Sequence, residues 1–222
     1  MAGDTAAARR LLELSDTDPN DRNEDNLWSV LMVAAADDDA QIVAALLARP
    51  ELDVDARDDL GQSALHIAAE RGHDRVVGLL TADLRSNPNG RDDLRRTPLL
   101  LAAAANHQGA VECLLRDART DVNLVDRDRE TALHWAALAG HDEVVALLLD
   151  DDRTNPGITN RPDRRTAAEL ALQAGHPAIA EMIRNRGGGS DQLSPGDTFE
   201  PRVPAPHRRP GPRTRRRGGP RL

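Results

Sequence analysis

One segment recurs along this chain at a fixed step. Ser63-Ala-Leu-His66-Ile-Ala-Ala69, Thr97-Pro-Leu-Leu-Leu-Ala-Ala103 and Thr131-Ala-Leu-His134-Trp-Ala-Ala137 begin 34 residues apart. Ser29-Val-Leu-Met-Val-Ala-Ala35 lies 34 before the first, and Thr166-Ala-Ala-Glu-Leu-Ala-Leu172 follows 35 after the last. A second marker recurs at steps of 35, 34, 34 and 34: Asp18-Pro-Asn20, Asp53-Val-Asp55, Asn87-Pro-Asn89, Asp121-Val-Asn123 and Asn155-Pro-Gly157. Two markers in register require a stack of small supersecondary units, each burying its apolar face against its neighbours.

The unit reads as two short helices and a polar connection. Ser29, Ser63, Thr97, Thr131 and Thr166 stand at the N-cap, where a hydroxyl accepts from an orphan N–H. Pro98 follows Thr97 at the first helical position, and Thr166-x-x-Glu169 is a capping box. Gly72, Asn106, Gly140 and Gly175 end the first helix with residues that accept a left-handed conformation, and Asp38 takes that place in the first full unit. The second helix carries Val76, Val77, Leu79 and Leu80, or Val144, Val145, Leu147 and Leu148, at the spacing of one buried stripe. Charged tips follow: Arg57-Asp-Asp59, Arg91-Asp-Asp93 and Asp126-Arg-Asp128. With 1% aromatic residues, the core must come from Ala, Leu, Val and Ile, which suits close-packed helices.

These features resemble the ankyrin-repeat family. Its T-P-L-H-x-A signature, G-H turn and D-V-N-x-x-D ending are readable, most fully over residues 127–160. The resemblance spans about residues 3–186 and implies an all-α solenoid of stacked helix–turn–helix units with projecting hairpin-like fingers. Residues 1–25 match only the second half of a unit, an N-terminal half-repeat expected to be the least stable part. The repeat domain is 26–186, divided as 26–58, 59–92, 93–126, 127–160 and 161–186. Residues 187–222 are expected to be a disordered Arg/Pro/Gly-rich tail.

Enzymatic and metal chemistry find little footing. His66 and His134 share one position of the unit, while His73, His107, His141 and His176 share another, a repeat apart rather than converging on an ion. The expectation is that His66 and His134 bond a neighbouring loop and that His73 and His141 hold the turn. Together with Gly72, Gly140, Thr97, Thr131 and Thr166, these histidines are assigned structural roles. No G-x-S-x-G, phosphate-binding loop or H-E-x-x-H occurs, so no catalytic residue, metal or cofactor is assigned. Cys113 replaces Leu79 and Leu147 in the second-helix stripe and is expected to be a buried small hydrophobe.

What remains is a surface. The resemblance implies a concave face made by the first helices and finger tips, where protein partners sit. Trp135 replaces Ile67 and Leu101 there, and Trp28 occupies the position of Gln62, Arg96 and Glu130. Exposed Trp in a groove is a binding hot spot; equally, Trp135 can pack across to the adjacent unit. Glu70, Arg71, Asn106, Arg95, Arg96, Arg127 and Arg129 complete the expected protein-binding set. Alternating signs favour a protein partner over nucleic acid.

Charge is unevenly placed. The 222 residues carry a formal −8, all 29 basic residues are Arg, and residues 187–222 hold eight Arg against Asp191, Asp197 and Glu200. That tail is therefore +5 and the remainder −13, which argues against broad phosphate binding by the repeats. No apolar run approaches the roughly 18 residues of a membrane span. A single cysteine and the lack of a signal-peptide pattern point to the cytoplasm or nucleus. The function expected is a monomeric, non-catalytic scaffold that binds an unidentified protein. Alternatives are the recognition part of a larger multidomain signalling protein, or a nuclear, nucleic-acid-associated factor acting weakly through Arg208-Arg209 and Arg215-Arg-Arg217.

Overall fold

The computed structural model describes residues 18–161 and 163–186. Among them are ten helices in five pairs: α1 Val30–Ala36 and α2 Ala40–Leu47, α3 Ala64–Arg71 and α4 Asp74–Ala82, α5 Pro98–Ala104 and α6 Gln108–Arg116, α7 Ala132–Ala139 and α8 Asp142–Asp150, α9 Ala167–Gln173 and α10 Pro177–Arg186. No strand occurs among the described residues, where Arg22 and Ser29 form an isolated antiparallel bridge. The half-unit is described from Asp18 onward, and the tail lies outside the described residues.

Local chemistry fixes where each first helix starts and stops. The hydroxyls of Ser29, Thr97, Thr131 and Thr166 accept from the N–H groups of Met32, Leu100, His134 and Glu169 at 3.3–3.4 Å. The helices stop at left-handed residues: Asp38 (φ 57°), Gly72 (70°), Asn106 (62°), Gly140 (79°) and Gly175 (86°). The next N–H then turns back into the helix, as His73 does to Ala68 O and His141 to Ala136 O at 3.0 Å, which satisfies carbonyls the helix end would leave open.

First helices pack on first helices (α1, α3, α5, α7, α9) and second helices on second helices, giving two layers. Paired alanines explain the close approach: Ala34-Ala35, Ala68-Ala69, Ala102-Ala103 and Ala136-Ala137 are fully buried. Between the layers, Leu31, Leu65, Leu99 and Leu133 repeat as buried anchors, opposite Leu46, Leu80, Leu114 and Leu148. Each is worth about 1.5–3 kcal/mol of transfer free energy. The stripe is narrower than its sequence suggests. Leu79, Cys113 and Leu147 are half-buried at the edge of the core. Cys113 is thus a boundary residue, its Sγ donating to Asp74 O at 3.6 Å, and partial burial pushes its thiol pKa up.

Neighbouring units are also tied by polar side chains. The second marker forms a ladder: Asn20, Asn89 and Asn123 accept from the N–H groups of Asp53, Asp121 and Asn155 at 2.7–2.8 Å. The same three side chains donate to the carbonyls of Glu51, Arg119 and Arg153 at 2.7–3.0 Å. A third set went unread in the sequence. Arg85, Arg119 and Arg153 each pair with the Asp two residues earlier (Asp83, Asp117, Asp151) at 2.5–2.7 Å. Each also donates to carbonyls at the end of the previous unit's second helix: Leu47 O, Thr81 O and Leu115 O, at 2.6–2.8 Å. The guanidinium thus caps orphan carbonyls one repeat away, and it holds Asp83 and Asp151 below the usual carboxylate range.

Candidate binding surface

Three of the fingers are built around one acid each. Oδ1 of Asp58, Asp92 and Asp126 accepts from the N–H groups two and four residues on, at 2.7–2.9 Å. In the last finger the amide of Asn160 takes this place, its Oδ1 accepting from the N–H of Arg165, five residues on, at 2.9 Å. Each turn passes through a left-handed residue: Leu27, Gly61, Arg95, Arg129 and Arg164, φ 54–74°. Backbone bonds then stitch finger to finger. Asp59 N–H donates to Asn26 O (3.2 Å), Asp93 to Leu60 (3.0 Å), Arg127 to Leu94 (3.2 Å) and Arg161 to Asp128 (2.7 Å).

The second oxygen of each finger Asp claims a side chain expected to meet a partner. Trp28 Nε1 donates to Asp58 Oδ2 at 3.2 Å and Trp135 Nε1 to Asp126 Oδ2 at 3.0 Å. Arg96 Nε donates to Asp92 Oδ2 at 2.7 Å. Arg96, expected on the binding rim, is therefore only 9% exposed; its charge is spent inside its own finger. Both indoles are half-buried, with the N–H used and part of the ring left to solvent. The Arg71 guanidinium lies 5.9 Å from the Trp28 ring centroid and donates to Ala36 O at 2.7 Å. Arg95, Asn106, Arg127 and Arg129 are exposed, while Glu70 is half-buried. Arg127 also reaches the carbonyl of Asp93. Burial raises the carboxyl pKa of Asp58 and of Glu130.

Five of the described histidines are held by hydrogen bonds. His66 Nδ1 faces the Ser63 hydroxyl (2.8 Å) and accepts from Ser63 N–H (3.2 Å), so the proton sits on Nε2, which donates to Gly90 O at 3.0 Å. His134 repeats this between Thr131 and Arg165 O. Burial lowers both pKa values, that of His66 to about 4. His73, His107 and His141 do more than hold their own turns. Their Nε2 atoms reach back one unit to Ala36 O, Glu70 O and Ala104 O at 3.1–3.2 Å. Gly72 and Gly140 leave room for the rings of His107 and His176. Among the described residues no three His, Cys, Asp or Glu side chains are grouped to hold a metal. No described helix is long and apolar enough to cross a membrane.

Stacked helix pairs with projecting, mutually bonded fingers define a helical-repeat protein. The family profile for ankyrin repeats (3 copies) matches residues 1–92, 79–160 and 99–192, and the chain belongs to the ankyrin-repeat family. No curated protein matches it. Ankyrin repeats are generally protein–protein interaction modules, and the family is typically non-catalytic.

Proposed function

We propose that this protein is a non-catalytic scaffold that seats a protein partner on its first-helix face and finger tips, in the cytoplasm or nucleus. The observation that carries this is Trp135. Its ring is fixed by Asp126 yet half-open, on a helix whose outward side continues with Leu138 and Ala139. Ala105 and Asn106 are exposed at the end of α5, and Glu70 and Arg71 are part-exposed at the end of α3. An aromatic anchor already held in one orientation loses little side-chain entropy on binding, and the polar groups around it supply specificity rather than most of the affinity.

The test is affinity capture with mass spectrometry on the full chain, comparing wild type, Trp135→Ala and a deletion of residues 201–222. A partner lost with Trp135→Ala, by roughly 30-fold for a hot spot of about 2 kcal/mol, and kept after the deletion is the expected result. A set of captured proteins insensitive to Trp135→Ala removes the reading.

A further inference from the structure

The finger tips carry a charge order of their own. Tip one exposes Glu24 and Asp25, tip two Asp59, and tip three Asp93 beside Arg95. Tip four exposes Arg127 and Arg129 around Asp128, and tip five Arg161 and Arg164 around Asp163. Two arginines before the acidic tips are engaged with the protein. Arg22 lies 3.8 Å from Asp53 and donates to Arg57 O at 2.9 Å; Arg57 donates to Gly61 O and Arg91 O at 2.8 and 3.2 Å. Tips one and two therefore present an acidic line, tip three balances Asp93 against Arg95, and the sign reverses at tip four.

Three leucines lie along tips one to three. Leu27, Leu60 and Leu94 are 45%, 42% and 43% exposed, on consecutive tips held together by the Asp59–Asn26 and Asp93–Leu60 backbone bonds. A single exposed leucine is ordinary; three on one bonded ridge, each beside a carboxylate, form a patterned surface.

We infer that tips one to three are a docking ridge for an extended, cationic segment of the partner protein that carries apolar side chains at every third residue. The inference rests on the protein-binding reading above and adds the chemistry of the partner. Charge complementarity selects arginine or lysine, and the leucines select apolar side chains. The spacing follows from the stack: packed helices sit about 8–10 Å apart, and a segment in the extended polyproline II form, with three residues per turn, rises about 3.1 Å per residue. Every third side chain then falls on the next tip. The basic tips four and five repel continued cationic sequence, so the segment lies in one direction, with any acidic stretch over those tips.

Fluorescence anisotropy tests this with three labelled synthetic peptides of about 12 residues. They share one Arg and Leu composition, each with three leucines, set two, three or four residues apart. The full chain is compared with its Leu60→Ser/Leu94→Ser variant and with Asp59→Asn/Asp93→Asn. The tip side chains lie outside the core, and circular dichroism checks that the fold is kept. The three-residue spacing is expected to bind at least tenfold tighter than the others, and each double variant to weaken it at least tenfold. No binding, equal affinity for all spacings, or affinity unchanged in the leucine variant overturns the ridge. A concentration-dependent dimer abolished by Leu60→Ser/Leu94→Ser also overturns it, assigning the surface to a second copy of the chain. The peptide assay and the Trp135→Ala capture read different surfaces, so failure of the ridge is distinguishable from failure of the reading it rests on.

Discussion

Lowering the pH should strip stability from this protein through His66. The ring is 0% exposed, and burial first, then the nearby Arg57 charge, lowers its pKa from 6.5 to about 4. A folded-state pKa below the unfolded one means that the unfolded chain takes the proton first. The contribution is complete above about pH 7.5 and is lost as pH falls through the window from 6.5 to 4. At 1.36 kcal/mol per unit the limit is about 3 kcal/mol, of which about 2 kcal/mol is gone by pH 5. Protonation would also place a hydrogen on Nδ1, against the N–H of Ser63 that it accepts from. The assay is urea unfolding at pH 7.5 and pH 5.0 for wild type and His66→Leu, leucine being the buried residue that Leu100 supplies at this position. His66→Leu should be less stable at pH 7.5, through loss of the Ser63 and Gly90 bonds, yet lose about 2 kcal/mol less between the two pH values. Equal pH dependence in the two proteins would refute the reasoning. His134, whose pKa is lowered by the same burial, adds a residual slope of the same sign.

Two further outcomes follow from the ties between units. Gly72→Ala places a Cβ on the His107 ring at φ +70°, whereas Gly175→Ala at φ +86° meets nothing within 4 Å. Gly175→Ala should cost about 1–2 kcal/mol for the left-handed backbone alone and Gly72→Ala clearly more, as read from urea midpoints. Arg119→Ala removes donors to Thr81 O, Leu84 O and Ser86 O as well as the Asp117 pair, and should cost about 1–3 kcal/mol. Arg116→Ala breaks an ion pair whose arginine is 70% exposed, and should stay within about 0.5 kcal/mol. Equal midpoints for the two arginine variants would show that the carbonyl caps carry no weight.

The residues fall into those whose duty is local and those whose duty crosses a repeat. Caps at Thr97, Thr131 and Thr166 and the left-handed ends at Gly72, Asn106 and Gly140 were legible, because donor and acceptor lie within five residues. Arg85, Arg119 and Arg153 recur at the 34-residue step beside Asp83, Asp117 and Asp151; the compensating charges made them read as an ordinary polar turn. Their carbonyl partners are 33–38 residues away. His73 and His141 were read within their own turns for the same reason, although their acceptors lie 37 residues back.

The sequence by itself determined the period, the helix ends and the all-α repeat architecture, since hydrogen bonds within a turn and an apolar stripe need no distant partner. Only the tertiary structure decided how the candidate surface is divided. Trp28, Arg96 and Trp135 all read as outward groups, and each turned out to face the second oxygen of a finger aspartate. Arg96 was withdrawn from solvent and the two indoles were fixed half-open. Leu27, Leu60 and Leu94 drew no notice until backbone bonds between neighbouring tips set them along one ridge. A periodic sequence specifies what each unit offers, but exposure depends on how much of that offer the next unit takes up, and that is settled only when the units stack.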